Sequence, residues 1–212
     1  MHLIKIFKNA LCTFFVITIA FVNAMEEDEV EKVFKAHEVV PDVILTPPKQ
    51  FLKITYENGL TVDKGADLTP TQVKSEPKVD WVAEENIYYT LIMTDPDAPT
   101  RTDPKLREVH HWLVGNIPGN AIEQGEVITA YVGSGPPEGT GLHRYVFLLY
   151  KQPSKLEFDE PRVSNRSRNN RPKFSAKKFT EKYNLGTPIA GNFYQAQWDE
   201  YVPIVHKQLS GN

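Results

Sequence analysis

The sequence predicts one mostly-β domain with a few helices at its periphery, and three observations lead to that prediction. Residues 87–93, 111–117, 127–132 and 145–150 are apolar runs rich in β-branched and aromatic residues, as is typical of strands buried on both faces. Gly, Pro and Asn residues separate these runs and indicate turns. The chain also contains 16 prolines, and an interior proline removes a helical hydrogen bond and clashes with the preceding turn. An all-helical bundle is therefore disfavoured.

The N-terminal half predicts a helix and a hairpin. Residues 26–40 begin with acidic side chains and carry apolar residues at helical spacing, so we expect a short helix that ends at Pro41. The pair Asn58-Gly59 lies between two apolar segments, and both residues tolerate positive φ, which predicts a hairpin turn. Residues 63–77 indicate turns and short, irregular strand.

The C-terminal part predicts an exposed loop and two helices. Residues 162–171 are polar and basic, as expected of a solvent-exposed loop. Ser175 is a suitable N-cap for a helix that continues through Tyr183. A helical apolar stripe follows near the C-terminus, with Pro203 acceptable only in the first turn. The stripe consists of Trp198, Tyr201, Val202, Val205 and Leu209.

The first 24 residues predict a secretory signal peptide. Lys5 and Lys8 form a basic start, residues 11–22 are apolar, and small residues up to Ala24 suit a signal peptidase. We expect cleavage after Ala24, secretion, and one domain over residues 25–212; an uncleaved membrane anchor is the alternative. The one cysteine of the sequence, Cys12, would leave with the signal. The mature chain would then have neither a disulfide nor a cysteine nucleophile.

Charge and length exclude some function classes. The 212-residue chain is long enough for one domain with a substantial core. Its formal net charge is −3, and loss of the two lysines of the signal segment would change that charge to −5. A mildly acidic protein is a poor general binder of nucleic acid, because that affinity depends on many cations that neutralise phosphates. No nucleic-acid partner is expected, and we expect a monomer.

Polar residues form three short clusters beside the predicted strands, and such groups at strand ends usually converge on a pocket. The first cluster follows the strand of residues 87–93, the second begins the next strand, and the third is a glycine-proline loop ahead of a further strand. The clusters are Asp95-Pro96-Asp97-Ala98-Pro99, His110-His111, and Gly133-Ser134-Gly135-Pro136-Pro137 with His143 and Tyr145.

Local backbone geometry indicates which residues of these clusters can face a pocket. Asp95, closer to the strand, is the better candidate to face a pocket, whereas Asp97 is expected to cap backbone N–H groups in the turn. Adjacent strand residues point to opposite faces, so one imidazole of the His110-His111 pair faces a cavity and the other is structural. His143 and Tyr145 are two apart and share a face.

Three alternative chemistries are weaker. A metal site would need Asp95, His111 and His143 together, and this triad has no local signature. The glycine loop lacks the Gly-Lys-Thr/Ser of a nucleotide P-loop. Ser134 is not in a Gly-x-Ser-x-Gly motif, and no base is placed beside it by the sequence. An anion or small-ligand site is therefore favoured over catalysis, with no cofactor or metal expected.

These clusters, together with Gly141 to Tyr145 and Tyr194-Gln195-Ala196-Gln197-Trp198, closely resemble the phosphatidylethanolamine-binding protein family. That family includes the Raf kinase inhibitor protein, and the chain is identified as a secreted animal member. The likeness extends from about residue 41 to residue 209. It implies an antiparallel β-sandwich-like fold with a few peripheral helices, including a C-terminal helix.

The resemblance also implies a small surface pocket that takes phosphate-type anions and phospholipid head groups. Carried over by residue, the ligand-binding positions are Asp95, Pro99, His111, Gly135, Pro136, His143, Tyr145 and Tyr194. Some family members carry a tryptophan just before the histidine pair, where this chain has Val109, so the aromatic lid is reduced. The kinase-regulating relatives work in the cytosol, which does not suit a chain with a signal sequence.

The expected function is therefore a secreted, non-enzymatic binding protein for small anions or phosphatidylethanolamine-like head groups. Two alternatives stay open from the resemblance: inhibition of a serine protease or carboxypeptidase, and carriage of small apolar odorant-like ligands. The basic residues 162–171 offer a surface for a protein partner or for peripheral contact with anionic lipid, against the simpler interpretation of a solvated loop. Asn165-Arg166-Ser167 matches the N-glycosylation acceptor pattern.

Overall fold

Seven strands in two antiparallel sheets form the framework of residues 22–211, which are the residues that this computed structural model describes. The large sheet has the order β5-β4-β3-β6-β7, and β1 pairs with β2 in a small second sheet. The strands are β1 Lys53–Thr55, β2 Lys78–Asp80, β3 Tyr88–Asp95, β4 Val109–Pro118, β5 Glu126–Thr129, β6 His143–Lys151 and β7 Ala190–Ala196.

The helices are short and lie outside the sheets. Residues 22–36 form α1 within the described chain. It is followed by α2 (Val39–Asp42), α3 (Ala176–Lys182) and α4 (Val202–Gln208). Two 3₁₀ turns, Glu57–Gly59 and Ile122–Gln124, complete the secondary structure of this part. No helix in residues 22–211 combines the length and apolar character that a bilayer crossing requires.

The large sheet carries a core on each face, which explains why its strands are continuous apolar runs. Leu91 and Met93 of β3 pack in the core that includes the small sheet. Ile92, on the other face, packs with Phe34 of α1 and Phe179 of α3. The chain is therefore layered as small sheet, large sheet and helices.

The predicted fold class is confirmed: the chain is mostly β and antiparallel, has a few helices, and ends with a C-terminal helix. The sheets do not close into a barrel. The side chain of Ser175 caps α3 by accepting a hydrogen bond from the Lys178 N–H at 3.3 Å. Pro203 lies in the first turn of α4, where it has no N–H to leave unpaired.

Two predicted local elements differ from the structure. The turn at Asn58-Gly59 exists, with Gly59 at φ 76°, but a 3₁₀ turn replaces the two-residue hairpin. Thr55 forms a single bridge to Thr61, and the ladder of β1 is with β2. The first helix ends at residue 36, before Pro41, because Glu38 adopts a left-handed conformation with φ 57°.

The prediction that residues 162–171 form an exposed loop is wrong at two residues, because Val163 and Arg171 are buried. Arg171 is 2% exposed, and its guanidinium donates to the carbonyl groups of His110, His111, Ala130 and Ser164 at 2.9–3.2 Å. The carbonyl groups at the start of β4 and after β5 supply the acceptors that a buried cation needs. Arg171 therefore fixes this loop to the sheet.

The predicted signal peptide falls largely on residues 1–21, which lie outside the described residues, as does Cys12. Residues 22–24, ahead of the expected cleavage position, are the first described residues of α1. The division into residues 1–24 and 25–212 stays a prediction.

Candidate functional site

A small cavity of about 140 Å³ lies at one edge of the large sheet. β3 runs antiparallel between β4 and β6, so its C-terminal end lies beside the first residues of both neighbours. Asp95 at the end of β3 therefore meets His111 near the start of β4 and His143 at the start of β6. We call this space the strand-end cavity.

The strand-end cavity brings together most of the residues that the sequence analysis selected. Its lining includes a carboxylate, two imidazoles, a phenol and the glycine-proline loop. Those selected residues are Asp95, Pro99, His111, Gly135, Pro136, His143 and Tyr145.

Tyr194 differs from the expectation because it does not line this cavity. It is the cross-strand partner of Tyr145 in the β6–β7 ladder, and the two rings stack at 5.1 Å and 15°. Its other side faces Tyr56 in the hydrophobic core, with ring centroids 6.1 Å apart. Tyr194 therefore lies behind Tyr145 as a fully buried core residue.

His143 is held on both sides of its ring. Its Nδ1 lies 2.9 Å from Asp95 Oδ2, and its Nε2 lies 3.0 Å from the Thr140 hydroxyl. That hydroxyl donates to the Pro137 carbonyl at 2.7 Å, so it accepts from His143. Both ring nitrogens therefore carry a hydrogen, which makes the side chain an imidazolium. Burial lowers the pKa of His143, but the hydrogen bond and charge of Asp95 outweigh burial and raise it.

Both carboxylate oxygens of Asp95 have hydrogen-bond partners within the protein. One carboxylate oxygen pairs with His143, and the other accepts the N–H of Asp97 at 2.7 Å. The side chain is almost fully buried. Of the two roles that the residue could have, to orient a histidine or to receive a ligand ammonium, its contacts match the first.

His111 has the opposite electrostatic character. Its Nδ1–H donates to the Val132 carbonyl at 2.9 Å, so the neutral ring offers Nε2 as an acceptor. Burial lowers the pKa of His111 despite the neighbouring Asp95 charge. The ring meets Tyr145 edge-on at 5.1 Å. His143 and His111 therefore provide the cavity with one cation and one neutral acceptor.

The Tyr145 hydroxyl is the free donor of the cavity. It is buried and has no hydrogen-bond partner among the described residues. Burial and the nearby Asp95 charge raise the pKa of Tyr145 well above its ordinary value, so the phenol keeps its proton. A buried hydroxyl without a hydrogen-bond partner lowers the stability of the folded protein, and a ligand that accepts its hydrogen bond would remove this penalty.

His110 and Asp97 have structural roles. His110 faces away from the cavity, as predicted for the second imidazole of the pair, and stacks on Phe174 at 4.6 Å. The expectation that Asp97 caps N–H groups in its turn is wrong, because Asp95 accepts the turn N–H of Asp97. The Asp97 carboxylate instead accepts the backbone N–H of Arg144, in β6, at 2.8 Å. It also binds the guanidinium of Arg144 through both oxygens, at 2.8 and 2.5 Å. This buried ion pair was not apparent from the sequence.

The sequence analysis also missed the cover of the cavity. Val205, His206 and Leu209, from α4 and the turn after it, line the cavity together with Arg168. The His206 ring donates to the Gly135 carbonyl at 2.9 Å and fastens the helix to the glycine loop. The apolar stripe predicted the helix but carried no information about which surface it covers. No metal-binding cluster of three His, Cys, Asp or Glu residues occurs within residues 22–211.

The chain is similar in sequence to a known protein family and to individual known proteins. The sequence model of the family described as Phosphatidylethanolamine-binding protein matches residues 53–195. A Drosophila melanogaster protein named as a candidate odorant-binding protein, A5, is 40% identical over 203 residues, covering 95% of this chain and 97% of its own.

Two solved structures are similar in fold and sequence. The solution structure of CG7054 has 50% sequence identity to this chain and a TM-score of 0.68. The match covers 82% of this chain and 99% of the CG7054 chain. The second is the crystal structure of carboxypeptidase Y inhibitor in complex with its cognate proteinase. It has 28% sequence identity to this chain and a TM-score of 0.70, and the match covers 82% of this chain and 97% of that chain.

Proposed function

Because the chain belongs to the phosphatidylethanolamine-binding protein family, we propose that its strand-end cavity binds a small anion or a phosphatidylethanolamine-like head group. The observation that carries the proposal is the buried Tyr145 hydroxyl, a donor without a partner among the described residues, in the same cavity as the protonated His143. A phosphate oxygen would accept from the phenol beside a fixed positive charge.

The size of the cavity supports a head group in preference to a whole lipid. Pockets for drug-sized ligands measure roughly 300–1,000 Å³, and this cavity measures about 140 Å³. A phosphate with a short substituent is the matching class, and the acyl chains of a phospholipid would remain outside.

His111 supports a ligand that carries a donor as well as an anion. Its neutral Nε2 accepts a hydrogen bond. An ethanolamine ammonium or a protonated phosphate oxygen supplies such a donor, whereas a fully deprotonated inorganic anion does not. The phosphoethanolamine head group carries both kinds of group.

The apolar part of the lining favours a second candidate, an odorant-like amphiphile with a short apolar part. Leu106, Val109, Val205 and Leu209 line the cavity together with its polar groups. The relative named as a candidate odorant-binding protein supports this alternative. Competition between a medium-chain alcohol and phosphoethanolamine in calorimetry tests whether both occupy the same cavity.

We propose that the protein has no catalytic activity. Ser134, the one candidate nucleophile of the glycine loop, is fully buried and has no hydrogen-bond partner within residues 22–211, so no neighbouring base activates it. Relatives are named as binding or inhibitor proteins. Release of product from phospholipid or ester substrates, abolished by His111→Ala, would overturn this proposal.

Protease inhibition remains an alternative because one relative is named an inhibitor of carboxypeptidase Y and is seen in complex with that proteinase. Titration of the protein into a serine carboxypeptidase assay tests this alternative.

We also propose that the protein is secreted. N-terminal sequencing of the exported chain should then give Met25 as the first residue.

The decisive experiment removes the Tyr145 hydroxyl alone. Hydrogen bonds to charged groups are worth about 1.5–3 kcal/mol, so Tyr145→Phe should weaken phosphoethanolamine binding roughly ten- to hundredfold in calorimetry. Tyr194→Phe is the matched control, because it removes a second buried hydroxyl without a partner among the described residues, outside the cavity lining. Unchanged affinity in Tyr145→Phe would contradict the proposed site.

A further inference from the structure

A second and larger concavity lies on the helix side of the large sheet. It measures about 370 Å³ and is bounded by α3, the segment before α3 and residues 160–163. His110, which faces away from the strand-end cavity, lies in its wall with Phe174 and Phe179. We call it the α3 groove. Its volume falls within the range of about 300–1,000 Å³ that small-molecule sites occupy, whereas the strand-end cavity is smaller.

The floor of the α3 groove is apolar and aromatic. Val163 and Phe179 are nearly fully buried, and Phe174 covers the His110 ring in a parallel stack with 7° between the planes. Both nitrogens of His110 are already engaged, by the Asn170 carbonyl at 2.7 Å and the Thr129 hydroxyl at 3.2 Å. Burial lowers the pKa of His110 to about 4, so the ring is neutral at physiological pH. The floor therefore suits a hydrocarbon or aromatic body.

The charged lining of the α3 groove is mainly cationic, with three lysines (Lys173, Lys178 and Lys182) and one carboxylate, Glu160. Lys173 and Lys178 are exposed and form no ion pair within residues 22–211. Lys182 is different, because its ammonium already pairs with Asp159 and Glu160 at 2.6 and 2.7 Å. Two lysines at the end nearest the segment before α3 are thus available to a ligand.

We propose that the α3 groove is a second ligand site, independent of the strand-end cavity, that binds an anionic amphiphile with its apolar body on Val163, Phe174 and Phe179 and its charged head between Lys173 and Lys178. The head group is a carboxylate or a phosphate monoester, since either satisfies two ammonium donors. A neutral alcohol of the same length lacks that interaction.

The test follows the binding of decanoate, decyl phosphate and decanol to the purified protein by backbone-amide NMR shifts. The two anions should shift the amides of Phe174, Lys178 and Phe179 in a saturable way, and decanol should bind more weakly. The relative affinity of decanoate and decyl phosphate identifies the preferred head group. Because the readout is by residue, it separates the α3 groove from the strand-end cavity.

Charge reversal provides the second arm. The double variant Lys173→Glu, Lys178→Glu should weaken binding of the anions by about tenfold or more, while leaving the thermal unfolding midpoint close to that of the natural chain, because both side chains are exposed. Lys177→Glu, an exposed neighbour on the same helix outside the groove lining, is the matched control and should bind normally. Shifts confined to the strand-end cavity, no saturable binding, or equal affinity in the double variant would each overturn the proposal.

Discussion

His143 and His111 both line the strand-end cavity, but they differ in protonation because their neighbours differ. His143 lies between a carboxylate and a hydroxyl that already uses its proton, and its pKa is raised. His111 donates to a carbonyl, and burial lowers its pKa. His143 therefore contributes a positive charge to the cavity besides those of Arg168 and Arg171, which also line it, and His111 contributes a hydrogen-bond acceptor.

Anion binding should consequently follow the titration of His143. The raised pKa keeps the ring charged through its ordinary titration range, so affinity for glycerophosphoethanolamine should hold from pH 5.5 to neutrality and fall as pH rises through the raised value. Asp95→Asn removes the charge that opposes burial, so the decline should move to lower pH. Calorimetry across pH 5.5–9 measures both curves, and identical curves for the two proteins would exclude His143 as the titrating group.

At the scale of elements, buried charges attach loops to the large sheet. Asp97, in the loop after β3, and Arg144 of β6 are both fully buried, and the same guanidinium reaches Asp42 of α2 at 2.7 Å. The Arg144 side chain also donates to the His37 carbonyl at 2.7 Å. Helical and loop segments that precede the sheet in sequence are thereby fixed next to the strand-end cavity.

Removal of one member of this network should be strongly destabilising, because it leaves a buried charge without its partner. Asp97→Ala should lower the free energy of unfolding by about 3–5 kcal/mol. Chemical denaturation measures the loss. Asp103→Ala is the control: its side chain is 59% exposed and pairs only with an exposed lysine, so a change within about 0.5 kcal/mol is expected. Equal losses in the two variants would contradict this account.

Glu108 attaches α3 to the start of β4 in a similar way. Its backbone exchanges hydrogen bonds with Phe174 at 2.9 and 3.0 Å, and its carboxyl accepts the Ala176 N–H at 2.9 Å. The second carboxyl oxygen has no partner among the described residues. Burial raises the pKa of Glu108 to about 7, so the folded protein holds a proton that the unfolded chain loses near pH 4.5.

The stability of the protein should therefore fall as pH rises from about 4.5 to 7 through this group. By linkage the loss is about 3 kcal/mol. Glu108→Gln keeps the acceptor for Ala176 but cannot ionise, so it should flatten the curve in that window. Denaturant unfolding at several pH values measures how the free energy of unfolding depends on pH. The control is Glu181→Gln, at an exposed position on α3, which should leave this dependence unchanged. A curve that keeps its slope in Glu108→Gln would refute the assignment.

At the scale of the whole molecule, the strand-end cavity is a product of chain topology. Its walls come from the ends of three strands, a glycine loop and a helix that is about 70 residues further along the chain. A side-chain carbon added at Gly135 would lie 3.1 Å from Val205 Cγ1 in α4. The helix therefore approaches the loop closely because Gly135 has no side chain.

This close approach predicts a compensating pair of substitutions. Gly135→Ala should push α4 outward, costing roughly 1–3 kcal/mol of stability and weakening phosphoethanolamine binding. Val205→Ala should recover part of both losses in the double variant, because it removes the methyl groups in the way. A double-mutant cycle with denaturation and calorimetry measures the coupling. Additive effects of the two substitutions would contradict the proposed steric contact between the glycine loop and α4.

Much of the fold and part of the site were predictable from local patterns. Apolar runs gave β3, β4 and β6 to within two residues and the short edge strand β5 to within three, and Ser175 marked the start of α3. Pro203 lies in the first turn of α4, as its missing N–H required. The alternation of strand faces separated His110 from His111. The buried position of Arg171 was not predictable, because two of the segments that supply its carbonyl acceptors, around His110 and Ala130, are far away in the chain. Tyr194 was misplaced for the same reason, since register alone stacks it behind Tyr145.

The amino-acid sequence by itself determined the chemical groups of this protein, the order of its strands along the chain and the family to which it belongs, because these depend on local periodicity and short motifs. Only the tertiary structure decided which histidine carries the charge, which tyrosine hydroxyl lacks a partner, and that a C-terminal helix covers the cavity. Protonation and burial depend on neighbours, and those neighbours are brought together by the fold from positions far apart in the chain.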